Sequence, residues 1–282
     1  MIDKIIYILL ILIIVSCEDE TTEGIPAYIK IDTINLIDST DYNNNPTTNN
    51  ITDAWVRING VDKGIYELPA NFPVLNHGNV DIKIYAGIKD NGIAAQRVNY
   101  PFYNSYSENI ILKKDSITTI YPVVSVKNNI GGQFDDFDNS YSFNYDSCCF
   151  QRSPNGINGN YGSITLTDST LSTEIKYQDQ SLSFDDVPQQ GSPTYLELDY
   201  KNNTRFLIGV YINFINSPTV EKGLIWVTPK EDWHKIYVNL TETLTEAVGA
   251  EDFTLFIRLS RDYTLEENKV DFDNIRIIHY KK

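Results

Sequence analysis

Residues 206–214 read Phe-Leu-Ile-Gly-Val-Tyr-Ile-Asn-Phe. Phe206, Ile208, Val210, Ile212 and Phe214 fall on one side of an extended chain, because successive strand side chains point to opposite faces. A helical stripe has a different period, so this stretch predicts a β-strand with one buried face. The same alternation recurs around it. Leu196, Leu198 and Tyr200 alternate with Glu197 and Asp199, so the two acids read as a solvent face. Ile236, Val238 and Leu240 form another set, Phe253, Leu255, Ile257 and Leu259 a further one, and residues 270–278 a closing strand. Only residues 240–250 have room for a helical turn or two.

The period-two pattern also holds upstream. Ile29 and Ile31 alternate with polar neighbours. Ala54, Val56 and Ile58 share one face, with Trp55 and Arg57 on the other, and Asn59-Gly60 follows as a hairpin signal. Residues 65–68 read as the return strand. Val80, Ile82 and Ile84 make the next set, Asp90-Asn91-Gly92 a turn, and residues 110–112 and 117–126 the last strands. Residues 41–50 are rich in Asn and Thr and read as a loop. The expected architecture is all-β, with two β-sandwich domains. An immunoglobulin-like one spans residues 28–126, residues 127–132 (with Asn-Asn-Ile-Gly-Gly) are the linker, and a jelly roll spans residues 133–282.

Composition agrees with strands and turns. The chain has 19 Tyr and 12 Phe, and its single Met is the initiator. The formal net charge of −15 argues against nucleic acid and against anionic lipid head groups, both of which repel an acidic surface.

The N-terminus carries a different signal. Lys4 precedes an almost purely Ile and Leu run over residues 5–15, too short for a comfortable membrane span and suited to the apolar core of a signal peptide. The run ends Ile14-Val15-Ser16-Cys17. This resembles the lipobox of bacterial lipoproteins, which implies a signal peptide over residues 1–16 and a covalent lipid on Cys17. Residues 17–27 then form the lipidated tether. Glu18-Asp19-Glu20 resembles the surface-export signal of Bacteroidota lipoproteins. The expected location is the outer membrane, facing the cell exterior, with the membrane reached through the lipid anchor.

Two further resemblances concern the domains. Ala54-Trp55-Val56-Arg57-Ile58-Asn59-Gly60, Gly64-Ile65-Tyr66-Glu67-Leu68-Pro69 and Gly78-Asn79-Val80-Asp81-Ile82 are similar to the small PEGA-type surface domains, which implies an immunoglobulin-like accessory module. Phe134-Asp135-Asp136-Phe137 and Val270-Asp271-Phe272-Asp273-Asn274-Ile275 resemble the paired first and last strands of galactose-binding-like jelly rolls and carbohydrate-binding modules. That likeness implies a structural calcium ion, with Asp135, Asp136, Asp271 and Asp273 as its ligands and Asp138 nearby.

The implied partner is a glycan, held by aromatic faces and flanking polar groups. Trp226, Trp233, Tyr211 and Tyr161 are the candidate contacts. The segment Tyr100-Pro101-Phe102-Tyr103-Asn104-Ser105-Tyr106 is another candidate, while Trp233 reads more as structural. An accessory subunit of a cell-envelope protein complex is the rival. An enzyme is not expected. Glu197 and Asp199 resemble the carboxylate strand of jelly-roll glycoside hydrolases, but Lys201-Asn202-Asn203 follows where another acid belongs. His77, His234 and His279 are scattered, and no His-Glu-x-x-His, Gly-x-Ser-x-Gly or phosphate-binding Gly loop occurs. Cys148 and Cys149 are adjacent, a spacing that favours two packed thiols over a strained ring.

Overall fold

The computed structural model describes residues 24–37, 48–138, 143–145, 149–157, 159–177, 187–188 and 190–281. Cys17 and the acidic residues behind it lie outside them. The first sandwich is built from β1 (Ala27–Ile31), β2 (Asn35–Ile37), β3 (Asp53–Ile58), β4 (Val61–Glu67), β5 (Ala70–Val74), β6 (Gly78–Lys89), β7 (Arg97–Asn99), β8 (Tyr106–Leu112), β9 (Ile117–Ile120) and β10 (Val123–Ser125). The second contains β11 (Ile130–Asp135), β12 (Phe143–Tyr145), β13 (Phe150–Gly156), β14 (Gly159–Leu166), β15 (Ser172–Tyr177), β16 (Thr194–Asn202), β17 (Phe206–Phe214), β18 (Val220–Val227), β19 (Lys230–Asn239), β20 (Ala250–Ser260) and β21 (Asn268–Tyr280). A short helix, α1 (Thr241–Glu246), links β19 to β20.

In the first sandwich the sheet β4-β3-β6-β7, with β8 also on β6, carries Ala54, Val56, Ile58, Val80, Ile82 and Ile84 inward. They meet Ile29, Ile31, Phe72 and Ile120 of the β5-β1-β9 sheet. Asn59 and Gly60 both adopt positive φ, 50° and 76°, the backbone a two-residue hairpin of this hand requires. The expected strand over residues 117–126 is two strands. Pro122 interrupts it because proline has no N–H for the ladder, and its carbonyl instead accepts from Asn35 N (2.9 Å).

The second sandwich packs β13-β14-β21-β16-β19, with β11 also on β21, against β12-β15-β20-β17-β18. All its ladders are antiparallel. The opening stretch behaves as its alternation predicts. Phe206, Ile208, Val210 and Ile212 are buried against Leu196, Leu198, Leu255 and Ile257, while Phe214, at the strand end, is only partly buried. Truncating a core position such as Ile257 to Ala costs about 2–5 kcal/mol. Gly209 interrupts the outer face of β17 because the ring of Phe256 lies over it. A Cβ there would sit 2.2 Å from Phe256 Cζ.

The first and last strands of this unit pair as expected, Phe134 with Arg276 and Asp135 with Ile275. The linker needs correction. Ile130 is buried and residues 130–132 already belong to β11, bonded to β21. An apolar residue before two glycines here opens a strand, because β21 is long enough to carry both β11 and β14. The cysteines need one as well. Cys149 is buried and disulfide-bonded rather than a packed thiol, and Cys148 lies outside the described residues.

Candidate functional site

The outer face of the β14-β21-β16-β19 layer runs in parallel rows across the strands. Ile278, Tyr195 and Asn239 form one row, and Arg276, Glu197 and Tyr237 the next. Asp273, Asp199 and Lys235 follow, then Ser163, Asp271 and Lys201. One irregularity makes this possible. Between Glu197 and Asp199 the ladder takes an extra residue on β21, and Asn274 absorbs it with a φ of 48°. That bulge keeps Asp273 and Arg276 on the same face while Ile275 turns into the core.

The first rows are covered by the first sandwich. Tyr195, Tyr237 and Ile278 belong to its apolar core, with Tyr100, Phe102 and Tyr103. Tyr100 lies 5.4 Å from Tyr195 and 4.8 Å from Tyr237, between ring centroids. The Tyr100–Tyr106 segment, expected as a ligand surface, is therefore docking surface in its buried part. Tyr100 and Phe102 have no exposed area. The polar loop contributes as well. Asn50 N donates to Tyr237 Oη (3.0 Å), and Asn50 Nδ2 donates to the Lys235 carbonyl (2.9 Å). The Asp90-Asn91-Gly92 turn docks alongside, with Asn239 N donating to Asn91 Oδ1 (2.8 Å).

Glu197 and Asp199 are not a solvent face. They are 1% and 2% exposed. Lys235 Nζ stands 3.2 Å from Glu197 Oε2 and 3.7 Å from Asp199 Oδ2. It also donates to Thr48 Oγ1 (3.1 Å), which in turn donates to Asp199. Tyr100 Oη donates to Glu197 Oε1 (2.5 Å). Burial pushes the Glu197 carboxyl upward, but Lys235 and Arg276 more than reverse this and hold it below its ordinary value. The same burial, reinforced by the Glu197 charge, drives the Tyr100 hydroxyl well above its ordinary range. The pair is thus enclosed and neutralised by Lys235, with no open position at which a substrate could meet both carboxylates.

Beyond these rows the face opens. Tyr161 from β14 and Trp233 from β19 reach toward each other across β21 and β16, edge to face with centroids 5.6 Å apart. Lys201 Nζ stands 5.5 Å from the Tyr161 ring and 5.0 Å from the Trp233 ring. Both rings are half-buried. Next to them is a hollow of about 450 Å³, lined by Lys201, Asn203, Lys230, Glu231, Lys269 and Asp271. Aromatic edges beside lysines, an amide and carboxylates can pack a polyol ring and hydrogen-bond its hydroxyls. Sequence reading found Tyr161 but assigned Trp233 to structure, since the distance between β14 and β19 across the sheet is invisible in the chain.

The other expected contacts separate. Tyr211 is on the opposite sheet, with Lys176 Nζ 4.4 Å from its ring centroid and Phe256 4.8 Å away. Its hydroxyl is held between Glu174 (2.9 Å) and Arg258 (2.9 Å). With its ring and hydroxyl so engaged, Tyr211 serves packing. Trp226 is 47% exposed, with the Arg205 guanidinium 5.0 Å from its ring. It shares a hollow of about 400 Å³ with Tyr263 and Arg261.

The expected calcium ligands do not converge. Asp271 accepts from Ser163 Oγ (2.6 Å) and is neutralised by Lys269 (3.2 Å) and Lys201 (3.6 Å). Asp273 accepts from the backbone N–H groups of Asn274 (2.8 Å) and Ile157 (3.0 Å). Its carboxyl is pushed up to about 7 by burial, with Asp199 and Asp138 adding repulsion against the two backbone bonds. Asp135 and Asp136 each cap a turn, accepting from Phe137 N and Asp138 N (3.0 Å each). Among the described residues no group of three or more His, Cys, Asp or Glu side chains is arranged to hold a metal. The residues present do not fit the ion, because lysines already neutralise Asp271 while Asp273, Asp135 and Asp136 accept from backbone N–H groups.

No family model matches the sequence, and no curated protein matches it. Solved structures match over about half of the chain. One is the family 22 carbohydrate-binding module with the catalytic module of xylanase 10B from Clostridium thermocellum, solved with xylohexaose. Identity is 15%, coverage 53% of this chain and 28% of that one, and the TM-score 0.37. Another is the family 11 module from Clostridium thermocellum with a mixed-linked tetrasaccharide, at 14% identity, 55% and 92% coverage and a TM-score of 0.32. A third is a family 29 module from Piromyces equi, at 9%, 53% and 91%, with a TM-score of 0.34.

Proposed function

We propose that this protein is a non-catalytic glycan-binding lipoprotein of the outer membrane, held by a lipid on Cys17 and facing the cell exterior. The observation that carries the binding role is the Tyr161–Trp233 pair, set over Lys201 on the open part of the sheet face. The pair supplies apolar ring surface, and the adjoining hollow supplies Asn203, Lys269 and Asp271 for hydroxyl groups. The carboxylate pair that would suit a glycosidase is instead enclosed between the two sandwiches. The anchor reading rests on the residues before and at Cys17.

The test is calorimetric titration of the mature chain with neutral xylan, mixed-linked glucan and mannan oligosaccharides. At least one is expected to bind, with W233A and Y161A each weakening it about tenfold, the scale of one lost aromatic contact. A panel with no binder, or binding indifferent to both substitutions, removes the reading. Protease treatment of intact cells checks the location, and complete protection rules out the exterior.

The envelope-subunit reading keeps one observation in its favour. On the first sandwich Trp55, Ile65 and Tyr85 line an open hollow of about 520 Å³, and Ile65 is exposed. An apolar surface of this kind suits a protein contact. Recovery of one stoichiometric membrane protein by crosslinking in cells, lost in I65D, would support it.

A further inference from the structure

The two sandwiches enclose a second cavity, which shares Lys230 with the hollow beside the Tyr161–Trp233 pair and is otherwise lined by different residues. It holds about 430 Å³ where the β19 edge, the β18 edge and the turn after β6 meet. Lys89 and Asn50 enter from the first sandwich, and Lys230, His234, Trp226 and Tyr200 from the second. In a chain of net charge −15, none of the described residues lining this cleft is acidic.

Its cations are differently engaged. Lys235 is committed to Glu197 and Asp199. Among the described residues Lys89 has one ion-pair partner, Glu67, at 3.8 Å on an exposed side chain. Lys230 makes no ion pair among the described residues, and its backbone N–H donates to Asn202. His234 has a defined tautomer. Asn50 Nδ2 donates to the Lys235 carbonyl, so the same amide nitrogen faces His234 Nε2 at 3.2 Å and must donate there too. Nε2 is therefore an acceptor and the proton sits on Nδ1. Burial, together with Lys230 and Lys89, lowers the His234 pKa against the opposing pull of Asp199. Tyr200 packs edge to face on the ring at 5.9 Å.

We infer that this cleft between the sandwiches is a binding site for an acidic sugar, a uronic-acid residue whose carboxylate meets Lys89 and Lys230 while its ring lies against Trp226. This rests on the glycan-binding reading above and gives it a second, charged ligand class. The volume suits one or two sugar rings, and lysines bind carboxylates as point charges. Trp226, a candidate from the sequence, lines this cleft as well as the hollow it shares with Tyr263 and Arg261, and here the wall is completed by the docked pair of sandwiches.

Calorimetry of the full mature chain with tetragalacturonate and its methyl ester tests the site. The acid is expected to bind at least tenfold more tightly than the ester, and K89Q and K230Q each to weaken it about tenfold, the scale of one charge-assisted hydrogen bond. In NMR titrations, free galacturonate is expected to raise the His234 pKa, because its charge offsets the lysines. The proposal falls if tetragalacturonate does not bind, if the ester binds equally well, or if the double variant K89Q/K230Q binds the acid unchanged. Failure of the sheet-face reading registers separately, as neutral glycans that do not bind or that ignore W233A and Y161A. A galacturonate shift of His234 that disappears in K89Q/K230Q supports the cleft even then.

Discussion

Glu197 and Asp271 point out of the same sheet face, a few residues apart across one ladder, and live under different physics. Glu197 is enclosed by Lys235, Arg276 and Tyr100 beneath the first sandwich. Asp271 faces Lys201 and Lys269 at the edge of an open hollow. The sheet builds both halves with the same alternation, and what differs is the covering. A buried pair is expensive to break because the survivor has neither water nor a partner, whereas Asp271, itself only 3% exposed, pairs with two lysines that are 32% and 35% exposed, so water and the remaining lysine screen the loss of either one.

The largest effect expected is from K235M, which leaves Glu197 and Asp199 without their shared cation. It should destabilise the protein by about 3 kcal/mol, measured by urea unfolding. A loss below about 1 kcal/mol would mean that water reaches the covered half.

Asp273 lies on the boundary between the halves and gives the second test. Its carboxyl is raised to about 7 in the folded protein, so the native state holds a proton that the unfolded chain has released. Stability therefore falls as pH rises from about 4, the ordinary carboxylate value, toward 7, by up to a few kcal/mol. D273N should flatten that part of the profile of Tm against pH. Millimolar calcium should leave Tm unchanged, and a rise would restore the metal reading.

Y100F comes next. It removes the hydrogen bond to Glu197 without changing the ring packing, at a cost of about 1–3 kcal/mol. The smallest effect belongs to K201A on the open half, below about 1 kcal/mol by the same denaturation. If K201A equals K235M in cost, the two halves are not different environments.

Much of the fold is legible in the chain. The inner faces of β3, β6, β17 and β20 follow their alternation, Asn59-Gly60 turns as its residues demand, and the short helix falls where residues 240–250 leave room. The site is less legible. Glu197 and Asp199 looked like a wet face because polar residues at alternate positions say only that a side is not the sandwich's own core. Tyr100 and Phe102 looked like ligand aromatics for the same reason, since an exposed platform and an interface have one composition. Asn274 carried a usable signal, as asparagine tolerates the left-handed region, but nothing local distinguishes a bulge from an ordinary strand residue.

The sequence by itself determined which segments are strands, which face of each meets its own core, and where the tight turns fall. These follow from burying apolar side chains with a period of two, and that period is local. Only the tertiary structure decided what lies on the other face. Tyr100 and Glu197 are 97 positions apart, and Thr48 and Asp199 are 151. Whether such groups become a wet surface, a closed ion network or a ligand cleft depends on how two sandwiches dock, and docking joins residues whose spacing carries no periodicity to read.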